Sequence, residues 1–328
     1  MGQGSIVEEA PGIYRVAVPI PTPLRQVNCY LARGREGWTV VDAGFHTAET
    51  EQAWHEVFQQ LHIHPRDVQA IIVTHFHPDH YGAAGWLQEW TQAPVYMHRP
   101  EVELARRLDQ DGTVAAWEVF ARRHGLPDRW LKGFRERRRQ LRAWVQPAPQ
   151  VTAVDDGAFL PVGDRTFQVV WTPGHTDGLV VLWNATDGIL LANDLVLGDI
   201  SPNISAGVLT GPDPLGRYLE SLDRVRQWPA QMVLPGHRQP LTDLRDRCDQ
   251  LIQHHWRRLD QVLEVVRQRG PLTGWEVAVA LFPQVLDSPA QAEFALGETV
   301  AHLEYWARRG RIRTVDGGDR ELVRYASR

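Results

Sequence analysis

Apolar positions along this chain alternate between two spacings, and the switches mark its elements. Ile13 to Pro19, Val27 to Ala32 and Trp38 to Val41 are short β-rich runs set apart by proline and glycine. Thr47 to Leu61 carries a helical pattern with Thr47 as its N-cap. Val68 to Thr74 is almost wholly apolar, as a strand buried on both faces requires. Tyr81 to Trp90 is predicted as a helix and Pro94 to Met97 as a strand. Residues 101–145 break this rhythm, because Trp117, Phe120, Trp130, Phe134, Leu141 and Trp144 are spaced for helix faces. Strands resume at Val151, with runs at Arg165 to Trp171, Gly178 to Trp183 and Gly188 to Ala192. A helix is predicted over Asp213 to Gln227, and a strand over Gln231 to Leu234.

Beyond Leu241 the texture turns helical. Leu251, His255, Leu259, Val262 and Val266 form an amphipathic stripe. Thr273 opens a helix through Leu281, and Pro289 opens another through Arg309. Arg311 to Val315 and Glu321 to Tyr325 flank Gly317-Gly318 and read as a hairpin. Three helices and a hairpin follow the order of a winged-helix module. The expected organisation is a catalytic domain over 1–245, with a helical, lid-like insertion at about 101–147, and a winged-helix-like domain over 246–328.

Composition narrows the classes. Of 328 residues, 43% are apolar and 23% charged, which suits a large packed core and excludes a disordered chain. No run approaches the roughly 18 apolar residues of a membrane span. Met1 to Pro11 lacks the apolar core of a secretory signal, and Ile6 stands where a myristoylation signal needs Ser or Thr. Only Cys29 and Cys248 are present, so the expectation is a reduced, cytoplasmic protein without disulfides. The net charge of −5 argues against a general nucleic-acid binder. Locally, residues 101–150 hold 11 basic and 7 acidic side chains, a net of +4.

The chemistry concentrates in His75-Phe76-His77-Pro78-Asp79-His80, directly after the apolar run. Four ligand-type side chains in so short a loop cannot easily satisfy one another without a cation. By composition such a pattern is expected roughly 0.002 times per random chain. Neutral imidazole with carboxylate suits zinc, iron or manganese. His175 (in Pro173-Gly174-His175), Asp194 and His237 (in Pro235-Gly236-His237) each follow a strand-like run. Strand-to-loop junctions are where sheets of this kind gather sites.

Together with Val41-Asp42-Ala43-Gly44, these motifs stand in the order of the metallo-β-lactamase-fold hydrolases, which the chain resembles over about residues 10–240. The resemblance implies a mixed α/β, four-layer αββα sandwich with metals at one sheet edge, here joined to the helical C-terminal domain. It implies that His75, His77 and His175 bind one divalent metal ion. Asp79, His80 and His237 would bind a second, and Asp194 would bridge the two. Zinc is the first expectation, with iron or manganese accepted. Asp42 would orient the ligand loop, or would simply be a tight-turn aspartate. Two such dications lower the pKa of a bridging water, so that hydroxide exists at neutral pH. Asp79 would be a ligand first and a proton acceptor second.

Departures from the family pattern bear on substrate. The main β-lactamases keep a cysteine at the second-metal site, where this chain has Asp79 and Asp194 instead and neither cysteine lies near a motif, which argues against antibiotic hydrolysis. Leu197 occupies the position of a lactonase tyrosine, so a lactonase is the weaker alternative. The Pro271 to Glu276 helix and the terminal hairpin resemble the β-lactamase-like-protein-2 branch rather than the glutathione-binding helices of hydroxyacylglutathione hydrolases. The favoured expectation is a small-molecule ester or thioester, with the 101–147 insertion either a lid whose aromatics line an acyl pocket and whose arginines meet an anionic carrier, or a packing element. A metal-dependent ribonuclease is the alternative, gripping phosphates through the winged helix and the Arg135 to Arg142 run. A metal-bound scaffold or DNA-binding regulator would leave the ligand set decorative. No membrane partner is expected, and a homodimer stays open.

Overall fold

The computed structural model describes residues 5–108, 110–283, 288–316 and 322–328. Strands β1 (Ile6–Ala10), β2 (Ile13–Pro19), β3 (Gln26–Arg33) and β4 (Trp38–Val41) form an antiparallel meander. Helix α1 (Ala48–Gln60) then crosses to β5 (Val68–Val73), parallel to β4. Helices α2 (Pro78–Tyr81) and α3 (Ala84–Thr91) lead to β6 (Val95–His98). The helices α4 (Arg99–Leu108), α5 (Asp111–Arg123) and α6 (Asp128–Ala143) precede β7 (Val151–Val154), which completes a seven-stranded sheet in sequence order. The second sheet is built from β8 (Phe159–Val162), β9 (Arg165–Trp171), β10 (Val180–Asn184), β11 (Ile189–Asn193) and, after α7 (Pro214–Val225), β12 (Met232–Pro235). Its order is β12-β11-β10-β9-β8, with β11 and β12 parallel. The chain finishes with α8 (Leu244–Arg269), β13 (Leu272–Thr273), α9 (Gly274–Leu281), α10 (Pro289–Arg308), β14 (Ile312–Asp316) and β15 (Val323–Ser327).

The period-two pattern of the strands explains the four layers. In β3, Val27, Cys29 and Leu31 join a core with α1 residues Trp54 and Val57, while Tyr30 and Ala32 face the other way. In β10, Val181 and Trp183 pack under α7 and α8, while Val180 and Leu182 turn inward. The inward sets of both sheets meet in one core, where Tyr30, Val41 and Ile72 oppose Phe167, Leu182 and Leu191. The helix–sheet–sheet–helix sandwich expected from the sequence is therefore present.

Most predicted elements lie within a residue or two of their observed bounds. Thr47 caps α1, accepting from the Thr50 N–H, and Thr273 opens α9 with a capping box to Glu276. The stretch predicted as one helix over Tyr81 to Trp90 is two, α2 and α3, interrupted at Gly82-Ala83. The segment expected to be helical throughout residues 101–145 is three helices. The hairpin strands β14 and β15 pair antiparallel, while the Gly317-Gly318 turn lies outside the described residues. Both cysteines are buried free thiols. Among the described residues no helix is long and apolar enough to cross a membrane.

Helix α8 belongs to two cores. Leu244, Cys248, Leu251 and Leu259 close the outer face of the second sheet, whereas Val262, Leu263 and Val266 pack with Val277, Leu303, Ile312 and Tyr325. The insertion also faces two ways. Leu104, Ala105 and Leu141 pack on the first sheet's outer layer. Ala121, Leu126 and Leu131, with Phe120 and Trp130 against them, pack on Trp275, Leu296 and Val300 of the C-terminal helices. Trp117 and Phe134 are buried in ring contact with each other. Phe120 and Trp130 thus pack against the C-terminal helices, while Trp144 packs on Phe45.

Candidate metal centre

Every residue singled out from the motifs arrives at one edge of the sandwich, where strands end. Asp42 follows β4, the His75–His80 run follows β5, His175 lies on the β9–β10 loop, Asp194 follows β11 and His237 follows β12. The two sheets are tied together beside them. Val180 N–H donates to the Thr74 carbonyl (3.2 Å), and the Asn28 N–H donates to Gly236 O (2.7 Å). Tyr30 Oη donates to Pro235 O at 2.7 Å. Position 236 has no room for a side chain, since a Cβ there would stand 2.3 Å from Asp194 Oδ1.

Four of the histidines, His75, His80, His175 and His237, are held through Nδ1 from behind. Behind His80, Nδ1 lies 2.8 Å from Asp42 Oδ2. His75 Nδ1 donates to Thr74 Oγ1 (3.1 Å), whose hydroxyl donates on to Asp42 Oδ2 (2.9 Å). The Nδ1 atoms of His175 and His237 donate to the carbonyls of Asn203 (3.0 Å) and Gln26 (3.1 Å). These contacts select one tautomer, in which Nε2 carries the lone pair. Asp194 sits among the inward nitrogens, with Oδ1 3.5 Å from His80 Nε2 and Oδ2 3.5 Å from His175 Nε2 and 3.6 Å from His237 Nε2. Asp79 Oδ2 lies 3.3 Å from His237 Nε2. His77 and Asp79 are half-buried and form the mouth of the site.

Electrostatics divide the cluster. Burial, reinforced by neighbouring histidines, drives His75 well below the ordinary imidazole range, and burial takes His77 down to about 3 and lowers His175. These three are neutral at pH 7, as ligation requires. Burial also opposes charge on His80 and His237, but the carboxylates of Asp194, Asp42 and Asp79 around the first, and Asp194 and Asp79 around the second, raise both. Burial would push the Asp194 and Asp79 carboxyls up, yet the facing histidines hold both below the usual carboxylate range.

The fit to a cation rests on orphaned atoms. Nε2 of His75, His80 and His175 and Oδ1 of Asp194 are buried without a hydrogen-bond partner, a costly arrangement unless something accepts their lone pairs. Ligand atoms within 4.8 Å of one another group as His75, His77 and His175, as His75, His80 and Asp194, and as Asp79, His80 and His237. Sequence motifs do not pick out Thr74, Asn203, Gln26 or Glu101, which hold the ligands or their loops through hydrogen bonds. His98 lies away from the cluster, with Nδ1 donating to Gly178 O at 2.6 Å.

Asp42 provides a direct check. Its backbone is in the left-handed region (φ 61°), and besides the Thr74 hydroxyl and His80 it accepts from the Thr74 N–H at 2.9 Å. Asp42→Asn replaces one of the two accepting oxygens with an N–H₂ that faces at least one of these three donors. It is expected to weaken cation binding at His80 by about 10- to 100-fold, read by competition with a coloured chelator. Unchanged affinity would reduce Asp42 to a turn residue.

Comparison with known proteins gives the family. Residues 22–237 match the family described as the metallo-beta-lactamase superfamily, and residues 259–328 match the metallo-beta-lactamase-like C-terminal domain. "Probable metallo-hydrolase YqjP" of Bacillus subtilis (strain 168) is 24% identical over 299 residues, 88% of this chain and 91% of that protein. The "Beta-lactamase-like protein 2 homolog" of Caenorhabditis elegans is 22% identical, covering 83% of this chain and 75% of its own. Among solved structures, a metallo-beta-lactamase family protein from Thermus thermophilus superposes with a TM-score of 0.86 at 33% identity, over 98% of this chain and 100% of that one. A beta-lactamase domain protein from Burkholderia ambifaria gives 0.89 at 31%, over 99% and 95%.

Proposed function

The chain belongs to the metallo-β-lactamase superfamily, and from that premise we propose that it is a metal-dependent hydrolase of small esters or thioesters. The observation that carries the metal reading is the set of buried Nε2 atoms of His75, His80 and His175, which have no hydrogen-bond partner. In this reading His75, His77 and His175 hold one divalent ion, Asp79, His80 and His237 hold another, and Asp194 reaches both. Zinc is the first choice for these nitrogen and oxygen donors, with iron or manganese compatible. When bound, such ions supply Lewis acidity, activating water and polarising the substrate oxygen.

The chain's own groups do the rest. Asp42, Thr74, Asn203 O and Gln26 O keep the imidazoles in the ligating tautomer. Asp79, half-buried at the mouth of the site, would be a ligand first and an acceptor of the attacking water's proton second. Hydrolysis then forms one bond from water oxygen to the acyl carbon and breaks the bond to the alcohol or thiol, which leaves with a proton.

Two observations count against a nucleic-acid substrate, the first of them equally against an anionic acyl carrier. Arginines of the run pair within the protein: Arg137 and Arg138 with the buried Glu293, the half-exposed Arg135 with Glu118, and the exposed Arg139 with Glu136. These are the arginines that either a phosphate backbone or an anionic carrier would need. Moreover, α10, the helix that a winged-helix module would present to a groove, buries Ala292, Leu296, Val300, Ala301 and Leu303 in protein cores. Leu197, at the lactonase tyrosine position, is itself buried.

Elemental analysis of the purified chain, paired with a screen of acyl thioesters, aryl esters, lactones and RNA, tests this reading. About two ions per chain with ester or thioester turnover is expected. Turnover confined to RNA would replace the acyl substrate with a phosphodiester, and no bound ion after reconstitution would remove the hydrolytic mechanism.

A further inference from the structure

Glu101 stands in the first turn of α4, where the insertion leaves β6, and it is completely buried. It reaches two loops that come from different sheets. Oε2 accepts from the Phe76 N–H at 2.6 Å. Oε1 accepts from Thr176 Oγ1 at 2.6 Å and from the Gly178 N–H at 2.7 Å. Phe76 lies between His75 and His77, and Thr176 directly follows His175. One carboxylate therefore joins the backbone that carries two histidines of a triad to the loop that carries the third.

The surroundings are built to this carboxylate. A Cβ at position 178 would stand 2.8 Å from Glu101 Oε1 and 2.8 Å from Pro100 Cβ, so glycine lets the loop come close. His98, three residues before Glu101, grips the same residue from its carbonyl side at 2.6 Å. Each oxygen serves one loop, and all three partners donate. Only a group that accepts at both ends can hold both loops at once.

We propose that Glu101 is the positioning residue that sets the spacing of His75, His77 and His175, and with it the affinity of that triad for a divalent cation. This rests on the reading of those histidines as ligands. Glu101 touches no ligand side chain in the structure. It acts through Phe76, Thr176 and Gly178, so the insertion is anchored into the metal-binding edge at its first turn.

The test is the full chain carrying Glu101→Gln. The amide keeps the volume but turns an N–H₂ toward one of the two sets of donors, which releases one loop. Stepwise titration with Zn²⁺ and Co²⁺, followed by calorimetry and the visible Co²⁺ spectrum, reads the two sites separately. The expected result is an affinity loss of about 10- to 100-fold confined to one of the two equivalents, with an altered Co²⁺ spectrum and native far-UV circular dichroism. Thr176→Val removes a single donor and should give a smaller loss at the same equivalent. It carries the test if Glu101→Gln does not fold. Wild-type affinity and an unchanged spectrum in the folded variants would overturn the proposal, as would an equal loss at both equivalents. If the wild-type chain itself took up no ion, the ligand reading would fail instead.

Discussion

Asp194→Ala is expected to lower kcat/KM by about 10³-fold or more and to remove at least one metal equivalent while the fold survives. That factor corresponds to about 4 kcal/mol of lost transition-state stabilisation. The reason is position. Asp194 is the carboxylate that faces histidines of both triads, with oxygens 3.5–3.6 Å from the Nε2 atoms of His80, His175 and His237. In the proposed ligand assignment every other ligand would serve one ion, whereas Asp194 would serve both. Its backbone follows the buried strand β11, whose Leu190, Leu191 and Ala192 stay packed after the side chain is cut, so unfolding is not the expected outcome. His77→Ala removes a ligand from one triad and should also silence hydrolysis, with loss of one equivalent. Rates and metal content by mass spectrometry decide the matter. An undiminished rate in either variant would mean that the cluster is not the reactive centre.

Deleting residues 250–328 should have a larger effect on stability than any point change. Leu251, Leu259 and Tyr305 would vanish from the outer face of the second sheet, leaving Leu215, Tyr218 and Leu222 of α7 partly uncovered. On the insertion, Ala121, Leu126 and Leu131 would lose Trp275, Ala278, Leu296 and Val300. Each large apolar side chain contributes about 1.5–3 kcal/mol when fully buried. Losing several partners at once is comparable with the roughly 5–15 kcal/mol that separates folded from unfolded domains. The truncated chain should be insoluble or expose surface that binds an apolar dye. A soluble truncated protein with an unchanged melting temperature would show that these packing contacts are dispensable.

Much of this arrangement is legible in the sequence because residue type and spacing carry it. The strands announce themselves by apolar runs, and the ligands by rare side chains at strand ends. The supports of the site are harder to see. Asn203 and Gln26 contribute only carbonyl oxygens, which every residue possesses, so no side-chain pattern marks them. Glu101 falls in the first turn of a helix, where an acid is the ordinary choice because it complements the helix dipole. Its buried partners appear only when the two sheets are brought together. The partners of the arginine run are hidden for a related reason. A local count of charge cannot see Glu293, which stands 155 residues beyond Arg138. Likewise, the spacing of Phe120 and Trp130 says that a helix face is covered, but not that Trp275, Leu296 and Val300 pack on it.

Helix α8 makes the two halves of the molecule a geared pair. Its 26 residues amount to a rod of about 39 Å at 1.5 Å per residue. One end is keyed to the sandwich by Leu251 and Leu259, the other to the terminal helices by Val262 and Val266. Adding a single residue between these keys would turn the far end by about 100°. The terminal unit would be carried round with it, pulling Trp275 and Leu296 off the insertion whose first turn holds the metal-binding loops. Substitution along α8 is therefore a local matter, while a change in its length is a change in how the whole assembly meshes.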